Sequence, residues 1–384
     1  MERRVVRAGA AAKGVATKTA LAASVSLAAL LCLPTVGALA ADLDMDSGPM
    51  MEGMVKKPMP APPPIGVLGT RVMKQGKVTA AIRYKRIEKE GLLQGSDSIS
   101  PEAVALTVPN AFLLPPTIRV VPLKSSVDVA AASIAYGLTD DLTISAMVPY
   151  FNKKVDMLTF AGIAGSTRLG VNTLNSDGFG DARIGSAYRL FDTPVHHFVL
   201  NMGVSLPTGS ITKEDMVLQP DGTTPVRRLG YGLQLGSGTV DALPGLSYWG
   251  STGAWQWGLM YRGNLRLESS NRNGWRRGHM HMVSGWVGYS PTPWLDTSAR
   301  LTGTTEGAVK GHDPLIDGAG VGRQPGNYGG ETADLFLGLN VHGEKGVWKG
   351  RRLGVEVGIP VYQNVNGVQL EKDYSVSAGL TWTF

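Results

Sequence analysis

The chain has 384 residues, 50 of them glycine, with 18% charged residues, a formal net charge of +6 and a mean hydropathy near zero. That average excludes a polytopic helical membrane protein, and the length leaves room for one large domain or two ordinary ones. Arg3, Arg4, Arg7, Lys13 and Lys18 all precede the first apolar stretch, so the remainder is nearly balanced and its charge gives no reason to expect a nucleic-acid partner.

Residues 1–40 read as a secretory signal peptide: a basic start, the apolar stretch Leu21–Leu33, and a small-residue site Ala38-Leu39-Ala40 ahead of Ala41. The single cysteine, Cys32, falls inside it. A mature chain without a thiol excludes disulfides, cysteine nucleophiles and thiolate metal sites. Residues 41–76 are rich in Met and Pro, with PMPAPPP at 58–64 and no period of 2 or 3.6. They read as a flexible periplasmic segment or a partial plug. Met45, Met50, Met51, Met54 and Met59 offer thioether sulfur that would suit cuprous copper, but the same composition is also that of a low-complexity linker.

From Lys77 one unit repeats about twelve times, an alternating apolar and polar run of eight to eleven residues followed by a turn or loop. The predicted strands are Val78–Ile87, Ser126–Tyr136, Leu142–Tyr150, Asp181–Leu190, Phe198–Leu206, Thr239–Trp249, Trp255–Arg266, His279–Tyr289, Leu295–Gly303, Ala333–Val341, Leu353–Val361 and Tyr374–Phe384. In the seventh, Trp255, Trp257, Leu259 and Tyr261 share one face and Gln256, Met260, Arg262, Asn264 and Arg266 the other. The eighth is ambiguous, because Met280, Met282 and Trp286 compete with Val283, Val287 and Tyr289. The last strand closes on an aromatic C-terminus with an apolar face opposite Ser375, Ser377, Gly379, Thr381 and Thr383. In water such an edge would invite aggregation; in lipid the pattern is that of a membrane strand.

The connections give an independent argument. Those at 139–141, 191–197, 250–254, 290–293 and 342–351 are short to medium, while those at 88–125, 152–178, 207–228 and 304–330 are long. Short and long alternate, as in an all-β transmembrane antiparallel up-and-down barrel of outer-membrane type, residues 77–384, with both termini in the periplasm.

An Arg facing lipid near the midplane costs roughly 2–4 kcal/mol, so the alternation must turn such charges inward. The predicted pore-lining set is Asp181, Arg183, Arg189, Gln256, Arg262, Arg266, Asp296, Arg300, Asp334 and Glu356. Mixed signs leave two lumens open, a wet pore or a salt-bridged filling. His279 and His281 are two apart on one strand face and form a candidate metal pair without a third ligand at recognisable spacing. Asp313 and Asp317 lack the 1-3-5 carboxylate spacing of a calcium loop and read as turn residues. Ser133, Ser145 and Ser247 lie on strands with no Gly-x-Ser-x-Gly elbow, so no enzyme and no cofactor are expected.

Four stretches, YGLTDDLTISAMVPYF (136–151), FGDARIGSAYRL (179–190), LNMGVSLPTGS (200–210) and LGSGTVDALPGLSYWG (235–250), resemble the outer-membrane barrel family named for the MetA pathway of phenol degradation, commonly described as transporters. The resemblance spans about residues 66–384 and carries no substrate-binding residues with it. It implies a bacterial outer-membrane barrel, in contact with lipid and lipopolysaccharide and inserted by the barrel assembly machinery through its C-terminal strand. The expected function is passive passage of small solutes, hydrophobic or aromatic ones among them. The alternative is a non-transporting barrel that binds copper or a partner through its Met-rich lead and outer loops.

Overall fold

The computed structural model describes residues 63–343 and 346–384, so the signal peptide, the five methionines of the lead and any role for them lie outside the described residues. Eleven strands close into one antiparallel barrel. In chain order they are β1 (Val78–Gly95), β2 (Val120–Gly137), β3 (Leu142–Phe160), β4 (Arg183–Asp192), β5 (His196–Ser205), β6 (Gly245–Thr252), β7 (Trp255–Arg266), β8 (Met280–Thr292), β9 (Leu295–Glu306), β10 (Gly330–His342) and β11 (Arg351–Thr383). Each pairs with its sequence neighbours. The barrel closes between β1 and β11, from Thr79 opposite Thr383 to Gly95 opposite Val365.

The last strand is a hairpin in one 33-residue element. Its first half pairs with β10 and its second with β1, and Gln363 and Lys372 exchange two hydrogen bonds between the halves. The chain reverses around Gly367, whose φ of 58° a residue with a Cβ would resist. The wall is thus crossed twelve times, as the periodicity requires.

Alternation sorts the side chains as expected. Ile82, Ile134, Ile144, Val148, Leu259, Leu301, Leu337 and Val357 are exposed on the outer face, while Gln256, Ser284, Arg300, Glu356 and Ser375 are buried inside. A continuous apolar outer face with every wall amide paired is what lipid demands of a sheet. In β8 the ambiguity resolves: Val283, Val287 and Tyr289 face outward, and Trp286 is buried within. No described helix is long and apolar enough to cross a membrane.

Several elements depart from the periodic reading. Strands β1 to β3 run six to ten residues past their expected ends at the long-loop end, where they leave the apolar belt and their alternation is no longer enforced by lipid. The expected sixth strand begins at Gly245, not Thr239, because Asp241 and Ala242 pair instead with Ser205 and Val204 and with Arg266 and Leu265. Within the loop 152–178, Arg168–Phe179 forms an added strand on β3. Its polar residues Asn172, Asn175 and Asp177 hid it from a pattern count.

The long loops are not loose. A short helix, α1 (Pro101–Thr107), starts on a Ser100 cap that accepts from the Ala103 amide at 3.1 Å, and buries Val104 and Ala105 against Ile118, Leu158 and Phe160. A second core joins Ile211, Tyr231, Trp275, Val309 and Ile316. Arg119, fully buried, donates to the carbonyls of Ala105, Ala161, Gly162, Ala164 and Gly165 and so fixes the 161–167 turn. The long-loop end is a packed cap.

Candidate functional site

The lumen holds a stretch of the chain itself. Residues 63–76, which composition assigns to a flexible periplasmic segment or a partial plug, lie inside the barrel ahead of β1. Pro63 O accepts from Arg352, Leu68 O from Arg262 and, at 2.7 Å, Thr70 O from the Trp249 indole. The Met73 amide donates to Thr143 Oγ1 at 2.8 Å and the Gln75 amide to Asp140 Oδ1 at 2.9 Å. Arg352, Trp249 and Asp140 belong to the short-turn end, and Arg262 lies deeper along its wall. The segment therefore enters at the short turns, rises along the β10–β11 wall, crosses the lumen and descends to β1. Ile65 and Val67 are buried, Val67 against Met260, Trp286, Trp249 and Met282. Gly66 permits the approach to the wall, because a Cβ there would collide with the Arg300 guanidinium and the Glu356 carboxylate.

Pro63 and Pro64 suit the entry to this path, and residues 65–76 contain no proline. An extended segment that passes through a lumen makes no ladder of its own, and proline removes donors that would have to be satisfied there. Its carbonyls are met by lumenal arginine and tryptophan instead.

Around the segment the predicted pore residues fall into three groups. In the first, Arg300 and Glu356 form a buried two-pronged pair at 3.1 and 2.9 Å, with Arg300 also donating to Thr302 at 2.7 Å and lying 3.8 Å over the Phe336 ring. Asp334 pairs with Lys372 at 2.7 Å, Arg266 with Asp241 and Asn264, and Asp296 with Ser290 and His342. These are the salt-bridged part of the lumen. In the second, Arg183 and Arg262 face an open space. Among the described residues Arg183 has no hydrogen bond or ion pair, whereas Arg262 donates to Leu68 O and Met260 Sδ. The third group lies away from the pore. Asp181 binds the Gly209 and Ser237 amides and pins two long loops together, and Arg189 sits at a short turn between Asp141 and Asp192. Gln256 is fully buried, so it is packing rather than open lining.

Sequence reasoning left out several lumenal cations. Arg71, on the inserted segment, is exposed although surrounded by wall, so it projects into internal water. Arg83, Lys85, Lys89 and Lys153 also face inward; Arg83 and Lys85 lie within the predicted first strand on the face opposite Ile82 and Tyr84, whereas Lys89 and Lys153 lie past the expected ends of β1 and β3. Among the described residues Arg71, Arg83 and Arg183 have no hydrogen bond or ion pair, and the Arg183 and Arg83 charges both repel Arg262. Against them stands Asp296, already bonded to Ser290 and His342. The lumen beside the segment is cationic.

The expected metal pair has other commitments. His279 Nδ1 accepts from the Arg266 amide at 3.1 Å, and His281 Nδ1 hydrogen-bonds the Tyr261 hydroxyl at 2.9 Å on the outer face. Among the described residues, no three His, Cys, Asp or Glu side chains converge to hold a metal.

The Arg300–Glu356 pair carries a stability prediction. Removing one partner of a buried pair leaves the other charge uncompensated at a cost of about 3–5 kcal/mol. Glu356→Gln should lower resistance to denaturant by that order, read by tryptophan fluorescence in detergent; a change within error would show that lumenal water already solvates Arg300.

With this geometry in view, likeness to known proteins is limited to structure. No family model and no curated protein matches the chain. The COG4313 outer membrane channel from Pseudomonas putida F1 superposes with a TM-score of 0.51 over 82% of this chain and 98% of that one, at 14% identity. The chain has the fold of an outer-membrane barrel. The toluene transporter TodX of P. putida aligns at a TM-score of 0.40 and 10% identity, over 81% of this chain and 90% of that one. A FadL homologue of Pseudomonas aeruginosa aligns at 0.40 and 9%, over 80% and 89%. Both values are too low to bear on function.

Proposed function

We propose that the chain is an outer-membrane channel for passive movement of small solutes, hydrophobic or aromatic ones among them, and that residues 63–76 constrict its path. The observation that carries this reading is the set of unpaired arginines, Arg71, Arg83 and Arg183, facing the lumen. A barrel packed solid would neutralise such groups, since an unpaired charge without water is costly. Water therefore reaches them, and connected water is a route for solutes. The apolar outer face and the aromatic last strand support insertion in the bacterial outer membrane after export, with lipid and lipopolysaccharide as surroundings. The resemblance to the MetA-pathway family supports aromatic solutes, and nothing in the fold sets a direction of flow.

Rings of cations favour anions. In planar bilayers under a salt gradient of about tenfold, the current should reverse on the chloride side of zero, and Arg83→Gln with Arg183→Gln should move it toward zero. Cation selectivity, or an unchanged reversal potential in the double variant, would remove these arginines from the path.

A further inference from the structure

Beneath the cap, apart from the inserted segment, lies a cavity of about 200 Å³. Its upper wall is apolar: Val120 of β2, Met157 of β3, Leu174 of the added strand, Val217 and Leu229 of the 206–244 loop, and Leu370 of β11. The 320–328 turn roofs it and brings Arg323 and Asn327 to the lining, Arg323 donating to Asp317 O at 2.8 Å; the turn is held by Tyr328, whose hydroxyl donates to Gly322 O at 2.6 Å and accepts from the Gly232 amide at 2.9 Å. Burial pushes the Tyr328 phenol up to about 12, so it remains a donor.

The other end of the cavity is basic. Lys89 and Lys153 both line it, and the strand register places them on the barrel side, Lys89 opposite Ser125 and Lys153 opposite Val127, below Val120 and Met157. Lys153 is buried, and its ammonium donates to Gly232 O at 2.9 Å and Gln234 O at 2.8 Å. An ammonium has three donors, so one is left. Lys89 has no hydrogen-bond or ion-pair partner among the described residues, and neither lysine meets a carboxylate. Two neighbouring cations at one end of an apolar chamber repel each other, and an anionic group between them would relieve this.

We infer that this cavity binds a small amphiphile with one carboxylate, its apolar body against Val120, Met157, Leu174 and Leu370 and its carboxylate between Lys89 and Lys153. This rests on the channel reading and names its solute class. Size limits the body: an apolar cavity of about 150 Å³ accepts one benzene ring, so this one suits a single ring or a short chain with its acid group. Polarity sets the orientation. The acid faces the cationic lumen and the body faces the cap, so the site lies on the route between the two ends.

The test uses the full chain purified from membranes in a non-ionic, sugar-headed detergent, with binding followed by calorimetry. The probes are 3-phenylpropionate, its neutral analogue 3-phenylpropanol, and octanoate. The acid should bind about tenfold or more tighter than the alcohol, Lys89→Met should lose that margin, and Lys89→Arg should keep most of it. The stronger of the two acids then tells an aromatic from an aliphatic body. Equal binding of acid and alcohol, or an undiminished margin in a Lys89→Met protein that still shows heat-modifiable mobility, would overturn the site. Since binding is read without current, a barrel that binds the acid but never conducts would overturn the channel reading alone.

Discussion

Deleting residues 63–73 should raise single-channel conductance on the order of threefold or more, because it removes the one stretch of described chain that crosses the lumen. The wall does not depend on it. Every barrel strand pairs with two neighbours, and β1 begins at Val78, past the deletion. What the segment contributes is occupation of space: Ile65 and Val67 buried, and carbonyls held by Arg352, Arg262 and Trp249. Val67→Asp offers a milder form of the same experiment. Its carboxylate would enter the contact with Met260 and Trp286, and the segment should leave its groove intermittently, giving flickering rather than a uniformly larger current. Unchanged conductance in a folded deletion variant would place the constriction in the cap instead.

How much of this was legible depended on whether lipid enforced a pattern. Where a strand crosses the apolar belt, one face must be greasy, so Trp255, Leu259 and Tyr261 against Gln256, Met260 and Arg262 fixed both strand and facing. Above the belt the constraint lapses. There Arg168–Phe179, α1 and the extended ends of β1 to β3 are held by contacts distant in sequence, such as Arg119 with Ala161 to Gly165 and Asp181 with Gly209 and Ser237. No local period records such contacts. For the inserted segment composition left a flexible lead and a partial plug both open, because its partners lie on β3, β6, β7 and β11 and no local pattern names them. Charge type was legible but charge pairing was not. Arg300 and Glu356 are 56 residues apart and meet only because β10 brings β9 and β11 to either side of it.

Placing Arg at Leu337 should sharply reduce the yield of assembled barrel, whereas Thr304→Arg should assemble nearly as well as the parent. Leu337 is 61% exposed at the middle of the outward face of β10, flanked by Ala299 and Val357. An Arg at that depth costs about 2–4 kcal/mol against lipid, enough to shift a marginal insertion equilibrium by one to three powers of ten. Thr304, on β9, is half-buried and points into the lumen between Met282 and Thr332, two residues from Glu306. A guanidinium there reaches water and a carboxylate. The two substitutions introduce the same charge on neighbouring strands, Leu337 on the lipid side at mid-wall and Thr304 on the lumen side five residues nearer the long-loop end. Heat-modifiable mobility of membrane extracts measures the outcome, and equal yields would mean that this outer face does not meet lipid.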